Sequence, residues 1–210
     1  MGVVRMSGGL IIVFTAASGT GKTTLARKLI EQDGMLKASV SYTTRERRSD
    51  EVDGESYHFV SSEQFSDMVD RGDFLERTSI YGNKYGTVKQ EVDKIISQGK
   101  DVVLVLDWQG AAILKDKCSN VVSIFLLPPS LNLLEQRLEN RSMGQEKNLS
   151  ERKERANSEL LHGVDFDYIV VNDNLDAALA ELAAIVTAER LKAPRQINRH
   201  AHIAQMVTKD

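Results

Sequence analysis

A short glycine-rich segment near the amino end has residue types and a spacing that could bind phosphate groups. From Ala16 to Thr23 it reads Ala-Ala-Ser-Gly-Thr-Gly-Lys-Thr, which fits the phosphate-loop pattern except that alanine stands at its first glycine. Glycines let the backbone wrap so that successive N–H groups point at phosphate oxygens. The Lys22 ammonium can reach the β and γ phosphates, and the Thr23 hydroxyl can ligate Mg²⁺. The residues predicted to bind the triphosphate are Ala17, Ser18, Gly19, Thr20, Gly21, Lys22, Thr23 and Thr24.

A phosphate loop requires a strand before it and a helix after it, and the neighbouring residues predict both. Residues 10–16 form an apolar run that is typical of a buried parallel strand. The same run resembles the core of a signal peptide, but it is far shorter than the roughly 18 residues that span a bilayer. Because Leu25, Leu29 and Ile30 follow the loop at helical spacing, the pattern favours strand, loop and helix.

Similar apolar runs recur along the chain and predict the fold class. They occupy residues 102–106, 121–127 and 168–172, and amphipathic stretches with helical spacing lie between them. Strands that alternate with helices form a mainly parallel sheet covered on both faces. We therefore expect an α/β fold, a P-loop NTPase-type parallel sheet flanked by helices. Such sheets bind ligands beyond the carboxyl ends of their strands, and Asp107 directly follows one of the runs.

Composition and charge limit the classes of protein to which this chain can belong. Its 210 residues include 27 basic and 30 acidic side chains, for a net charge of −3, and 41% are hydrophobic. These values exclude a disordered chain and disfavour broad nucleic-acid binding. One cysteine cannot form an internal disulfide, which excludes small disulfide scaffolds and favours a reducing compartment. We expect a cytoplasmic protein that binds neither nucleic acid nor membrane.

Two polar stretches interrupt the alternation of strands and helices. Residues 40–87 are rich in Arg, Tyr, Gly and Thr, and residues 142–151 are small and polar between two predicted helices. The first is interpreted as an inserted substrate lobe and the second as a lid. A GTPase is excluded, because the Asp-Trp-Gln-Gly segment at 107–110 has no NKxD guanine reader downstream. The lobe and the lid favour a small-molecule kinase instead.

Six short motifs follow one another along the chain. They are Ser-Tyr-Thr-Thr-Arg-Glu-Arg-Arg (41–48), Glu-Val-Asp-Gly-Glu-Ser-Tyr-His-Phe-Val (51–60), Phe-Leu-Glu (74–76), Tyr-Gly-Asn-Lys-Tyr-Gly-Thr (81–87), Asp-Trp-Gln-Gly (107–110) and Ile-Val-Val-Asn-Asp (169–173). With these motifs in this order, the chain resembles the guanylate kinase family over roughly residues 10–190. The resemblance implies Mg-dependent transfer of the ATP γ-phosphate to GMP, and to dGMP, a step in guanine nucleotide synthesis and recycling.

The resemblance also implies how the chain is divided. Residues 8–40 and 88–192 would form the P-loop core, with a lid at about 138–152, and residues 41–87 would form the GMP-binding lobe. Residues 193–210 form a basic tail, interpreted as a solvated or docked terminal helix or as an oligomer contact. The implied partners are ATP and GMP, and the sequence leaves a homo-oligomer open.

The acceptor site follows from the same motifs. By resemblance, arginines and tyrosines bind the GMP phosphate, while Ser41 donates to guanine O6 and Glu76 accepts from N1–H and the 2-amino group. Planar guanidinium forks and phenols suit a phosphate dianion. Adenine would place an acceptor nitrogen against the carboxylate, a buried mismatch that discriminates by about 10⁴–10⁵. The implied GMP-binding residues are Ser41, Arg45, Arg48, Tyr57, Glu76, Tyr85, Gly86, Thr87 and Asp107.

The same resemblance assigns residues that act on ATP, the phosphoryl donor. Asn172 resembles a residue that contacts the donor adenine, and Asp107 is expected to reach Mg²⁺ through water or to face the substrate. Arginines that flank a lid close over the transferring phosphoryl group and can contribute about 10³–10⁵ in rate. The expected catalytic residues are Lys22, Arg137, Arg141 and Arg152.

Two departures from the family pattern and two alternative functions accompany this interpretation. Val105 stands where the family usually has a second acidic residue, and the lid reads Asn-Arg-Ser-Met-Gly at 140–144 where the family favours Gly-Arg-Gly-Thr/Gln-Asp. We expect an active enzyme with altered turnover.

The alternative functions are a ribose bisphosphate kinase of similar fold and a non-catalytic guanylate-kinase-like scaffold module. The guanine-reading residues disfavour the first, and an intact phosphate loop disfavours the second.

Overall fold

The structure is a computed structural model that describes residues 8–17, 19–141, 149–200 and 205–206, without the side chains of 137–141, 149–153 and 155. In chain order its strands are β1 (Ile11–Ala16), β2 (Leu36–Ala38), β3 (Tyr42–Thr43), β4 (His58–Phe59), β5 (Phe74–Ile80), β6 (Asn83–Val88), β7 (Asp101–Val105), β8 (Val121–Leu127) and β9 (Tyr168–Val171). Its helices are α1 (Lys22–Gln32), α2 (Ser62–Asp70), α3 (Lys89–Ser97), α4 (Trp108–Lys117), α5 (Leu131–Arg141), α6 (Leu149–Leu160), α7 (Leu175–Leu191) and α8 (Ala193–Arg199). A 3₁₀ helix, Leu161–Asp165, follows α6.

A five-stranded sheet in the order β2-β7-β1-β8-β9 forms the centre of the molecule, and all its strand pairs are parallel. Its central strand β1 is fully buried, which explains why residues 10–16 are continuously apolar. The α/β fold class, a parallel sheet flanked by helices, is confirmed. The short strand β2 was not predicted, because only Leu36 of its three residues is buried.

Apolar side chains on the two faces of this sheet build two separate cores. Ile12 and Phe14 of β1 pack on one face with residues of α1 and α7. Ile11 and Val13 point to the opposite face and pack with residues of α3 and α4. Because successive strand residues alternate between faces, one short strand anchors helices on both sides. This double anchoring holds the carboxyl end of β1, where the phosphate loop begins, in a fixed position.

A smaller sheet is formed within residues 42–88, in the order β4-β3-β6-β5. β3 pairs with β4 in parallel, and β6 pairs with β3 and β5 in antiparallel fashion. Tyr81 and Gly82 join β5 to β6 with φ angles of 51° and 76°, the positive values that a tight hairpin turn requires.

In the described part of the chain, no helix is both long and apolar enough to cross a lipid bilayer.

Candidate active site

The phosphate loop connects β1 to α1, as the sequence predicts. Gly19 and Gly21 have φ angles of 92° and 97°, a region that residues with a side chain rarely adopt. A Cβ atom at Gly21 would also lie 2.9 Å from Nδ2 of Asn172. The Lys22 ammonium donates to the Ala16 carbonyl across the loop, at 3.2 Å. Both glycines are therefore needed for the loop conformation, and Ser18 lies outside the described residues.

Asn172 supports this loop from the end of β9. Its side-chain Nδ2 donates to the carbonyl oxygen of Thr20 at 2.7 Å, and the residue is only 8% exposed. Its backbone N–H donates to Leu127 at the end of β8. The expected contact of Asn172 with the donor adenine stays a prediction, whereas its hydrogen bond to the phosphate loop is part of the structure.

A cavity of about 240 Å³ lies between the phosphate loop and the smaller sheet. Residues predicted to bind ATP and residues predicted to bind GMP line this same cavity. The two substrates would therefore meet in one space. These residues are Lys22, Ser41, Arg45, Arg48, Tyr57, Glu76, Tyr85 and Asp107. The predicted residues Gly86 and Thr87 are instead buried behind the cavity wall, and Thr23 and Thr24 are exposed in the first turn of α1.

Several lining residues were not among the predictions. Thr78 and Ile80 lie on β5 two and four residues after Glu76, on the same face of the strand, so strand periodicity could have identified them. Trp108 lines the cavity too, and its ring stacks on the His162 ring with centroids 3.6 Å apart. No sequence signal links Trp108 to His162, because only the tertiary fold brings the two rings together.

Arg45 is held in place by a network at one end of the cavity. Its guanidinium forms a 2.6 Å ion pair with Glu51 and lies over the Tyr57 ring. Burial alone would lower the pKa of Arg45, but the hydrogen bond to Glu51 more than offsets it and the pKa lies above its usual value. Glu51 also accepts from the backbone N–H of Arg48. Glu51, which was not predicted, therefore orients the Arg45 guanidinium and holds the backbone at Arg48.

Glu76 lies at the other end, where β5 passes under α4. It is 2% exposed, and its Oε1 accepts a 2.6 Å hydrogen bond from the Thr87 hydroxyl. Burial, together with the nearby Asp107 carboxylate, raises the pKa of Glu76 to about 7. Thr87 is itself fully buried, so its visible role is to hold Glu76, and a direct contact with guanine stays a prediction. At Gly86, a Cβ atom would lie 2.6 Å from the Phe74 ring, which shows why glycine occupies that position.

Asp107 lies next to Glu76 in the same cavity. It follows β7 and caps α4, with Oδ1 accepting from the backbone N–H of Gly110 at 2.8 Å. N-terminal caps of this kind fix the side chain as well as the helix. The Asp107 carboxylate thus has a set orientation in a cavity that it shares with Lys22 and Glu76.

The order of motifs and this shared cavity agree with comparisons to known proteins. The family model described as guanylate kinase matches residues 9–189. The chain belongs to the guanylate kinase family. A guanylate kinase from Rickettsia felis is 44% identical over 185 residues, which cover 88% of this chain and 96% of that protein. One from Methylobacillus flagellatus is 41% identical over 200 residues, or 95% of this chain and 98% of that protein.

A solved guanylate kinase has the same architecture. The crystal structure of guanylate kinase from Anaplasma phagocytophilum superimposes with a TM-score of 0.77 at 29% identity, covering 98% of this chain and 99% of that one. The family model and these full-length matches favour guanylate kinase over a ribose bisphosphate kinase. They also show that the resemblance extends beyond the short motifs to nearly the entire chain.

Of the two departures from the family pattern, the structure describes the side chain at only one. Val105, at the position where the resemblance leads one to expect an acidic residue, lines the cavity, so that part of its wall is apolar. The side chains of Arg137, Arg141 and Arg152 lie outside the described residues, as does the segment 142–148. Their roles as lid and catalytic residues stay predictions.

Proposed function

We propose that this protein transfers the γ-phosphoryl group of ATP to GMP, giving ADP and GDP. The observation that carries the proposal is a single cavity lined by the phosphate-loop residue Lys22 and by Glu76, the expected reader of guanine. Phosphoryl transfer depends mainly on positioning and on neutralising charge, so bringing donor and acceptor into one space is the main requirement.

The acceptor half of the cavity has the chemistry to select GMP. In its ionised form, Glu76 accepts from guanine N1–H and the 2-amino group, and Ser41 donates to O6. At the opposite end, Arg45, Arg48 and Tyr57 bind the phosphate dianion, with Tyr85 beside them. Because these contacts address the base and the phosphate but not the sugar, dGMP is expected to react as well.

The donor half binds the triphosphate. Backbone N–H groups between Ala17 and Thr24, together with the positive end of the α1 dipole, surround the phosphates. Mg²⁺ enters as part of Mg-ATP, and the hard oxygens of Thr23 and Asp107 suit that cation. Held by these residues, the ion would supply positive charge next to the phosphates. We assign the adenine contact to Asn172 as a secondary role.

The transfer is a displacement at the γ-phosphorus. A phosphate oxygen of GMP forms the new P–O bond while the bond from the γ-phosphorus to the bridging oxygen breaks, and the electron pair leaves on ADP. Lys22 offsets the charge that develops on the equatorial and leaving oxygens. Arg137, Arg141 and Arg152 are proposed to add positive charge when the lid, at about 138–152, closes over the transferring phosphoryl group. Closure would exclude water and prevent ATP hydrolysis.

The reaction is tested by measuring ADP formation with Mg-ATP and one acceptor at a time. We expect strong turnover with GMP and dGMP and little with AMP, UMP or no acceptor. A Lys22→Ala variant serves as a control for contaminating kinases and should lose nearly all activity. If the wild type binds ATP in calorimetry but phosphorylates neither GMP nor dGMP, the proposal is wrong and the scaffold alternative gains support.

We place the reaction in the cytoplasm. The cellular site is inferred from a single thiol, Cys118, which is 3% exposed and suits a reducing compartment.

The α8 segment packs back onto α7, since the Gln196 amide donates to the Arg190 carbonyl at 2.8 Å. This contact favours a docked terminal helix for the described part of the tail.

A further inference from the structure

Gly110 occupies a helical position where glycine is not needed for its backbone flexibility. It is the third residue of α4, it is buried, and it is not among the described glycines with positive φ. Glycine is the least favourable helix residue after proline, and alanine is the most favourable. An ordinary helical conformation therefore gives no reason for glycine here, and the reason must lie in what surrounds it.

The space next to Gly110 is filled by two carboxylates. A Cβ atom at this position would lie 2.9 Å from Oε2 of Glu76 and 3.2 Å from Oδ1 of Asp107. The carboxyl carbon of Glu76 would be 3.5 Å away. A carbon–oxygen distance of 2.9 Å is well inside the usual non-bonded separation. Any side chain at residue 110 would displace at least one of the two carboxylates.

Neither carboxylate can move freely. Glu76 is held on its other oxygen by the Thr87 hydroxyl, 2.6 Å away, and it is 2% exposed. Asp107 accepts from the N–H of Gly110 itself, at 2.8 Å. With Thr87 on one side and α4 on another, the open side of the Glu76 carboxylate faces the cavity. A methyl group at residue 110 would push that carboxylate into the space that guanine is expected to occupy.

We propose that Gly110 is a specificity-determining positioning residue, whose missing side chain lets the Glu76 carboxylate sit deep enough to read guanine. This inference rests on the proposed function, because it assumes that Glu76 accepts from N1–H and the 2-amino group. Gly110 itself touches no substrate. Because Glu76 is the closer of the two carboxylates, a side chain at residue 110 should affect the acceptor KM and the choice of base more than ATP binding.

The test compares Gly110→Ala with a matched glycine substitution. Gly34 also has a non-positive φ, and an added Cβ there would meet no atom within 4 Å, so Gly34→Ala is the control. The kcat and KM are measured for GMP, for IMP, which lacks the 2-amino group, and for ATP, together with Tm. We expect Gly110→Ala to raise the GMP KM at least about tenfold and to lower the preference for GMP over IMP by a similar factor. The ATP KM should change less than about twofold, and Tm should fall only modestly, because the helix propensity of alanine partly offsets the crowding of the two carboxylates.

A double-mutant cycle tests whether the effect passes through Glu76. In the Glu76→Ala background the carboxylate is gone, so adding Gly110→Ala should not raise the GMP KM further. Additive losses in the double variant would overturn the inference. So would a Gly110→Ala enzyme with wild-type GMP KM and GMP preference, or one in which Tm and every substrate's KM worsen together. If the wild type itself fails to phosphorylate GMP, the proposed function fails, which is a separate result.

Discussion

Glu76 is the residue proposed to read the guanine base. The carboxyl is buried beneath α4, beside Asp107 and hydrogen-bonded to Thr87. Burial raises its pKa to about 7, so in the free enzyme a large fraction carries a proton near neutral pH. Guanine presents two donors to this group, and only the carboxylate can accept from both. Deprotonation of Glu76 is therefore linked to GMP binding.

This linkage predicts how GMP binding depends on pH. As pH falls below about 7, the free carboxyl is increasingly protonated, and the proton must leave before guanine binds. We expect the GMP KM to be lowest near pH 8 and to rise by up to about tenfold for each pH unit below 7. Initial rates at fixed, saturating ATP and varied GMP, between pH 5.5 and 8.5, measure this pH dependence of the GMP KM.

The control for this prediction is Glu76→Gln, which keeps the shape but does not titrate. The GMP phosphate also titrates near pH 6 and will leave some pH dependence in the variant. The variant should bind GMP weakly throughout, with a flatter profile between pH 6.5 and 8. Identical profiles in the two proteins would show that Glu76 does not titrate in the binding step.

At the scale of elements, the phosphate loop is held by a strand from the other end of the chain. Asn172 at the end of β9 donates to Thr20, a hydrogen bond between residues 152 positions apart. It is buried, and Gly21 packs against the same amide nitrogen at a distance that leaves no room for a Cβ. The conformation of the loop between β1 and α1 therefore depends on the position of β9 in the sheet.

We predict that Asn172→Ala weakens donor binding through the loop. Leaving the buried Thr20 carbonyl without this hydrogen bond costs about 1–3 kcal/mol, which corresponds to a rise in ATP KM of about 5- to 150-fold. The GMP KM should change less than about twofold. Steady-state kinetics with each substrate varied in turn measures both, and Asn198→Ala, an exposed position on α8, is the control.

A second donor separates the loop from the adenine contact. If Asn172 acts on the loop, the variant should lose as much activity with GTP or another triphosphate as with ATP. A loss confined to ATP would instead assign Asn172 to the adenine ring and contradict a structural role in the loop.

At the scale of the whole molecule, Arg190 on α7 joins segments that are distant in sequence. Its guanidinium forms 2.6 Å ion pairs with Asp33, after α1, and with Asp101, at the start of β7. Asp101 in turn accepts from the backbone N–H of Leu10 just before β1. Burial would raise the pKa of Asp33, but its hydrogen bond to Arg190 more than offsets this and the pKa lies below its usual value. This network closes the end of the sheet opposite the active site.

We predict that Arg190→Met destabilises the protein without changing its substrate KM values. Leaving two largely buried carboxylates unpaired should lower the free energy of unfolding by about 3 kcal/mol at pH 7. Because the pKa of Asp33 is depressed in the folded state, this stabilisation is present above the ordinary carboxyl pKa and is lost as pH falls through the depressed value. The difference between wild type and variant should thus shrink on acidification.

Urea denaturation at several pH values measures this effect. Arg27→Met removes an exposed ion pair with Glu31, four residues along α1, and should cost no more than about 0.5 kcal/mol. If Arg190→Met were as mild as that control, the network would not stabilise the fold.

The sequence alone predicted four of the five strands of the central sheet and several residues that line the cavity. Strand runs and the phosphate loop depend on local backbone chemistry, so residues 10–16, 102–106, 121–127 and 168–172 were predicted within a residue or two of the observed strands. The motifs of the guanylate kinase family brought Arg45 and Glu76 into the predicted site, and both line the cavity.

Tertiary structure alone decided how those residues are held and charged. The pairing of Arg45 with Glu51, the bond from Asn172 to Thr20 and the space left by Gly110 join side chains through contacts that no local pattern encodes. The raised pKa of Glu76 has the same origin, since burial beneath α4 removes water from a carboxyl that would ionise freely on an open surface. Residue types set what chemistry the chain could perform, while packing set the distances and the solvation on which that chemistry depends.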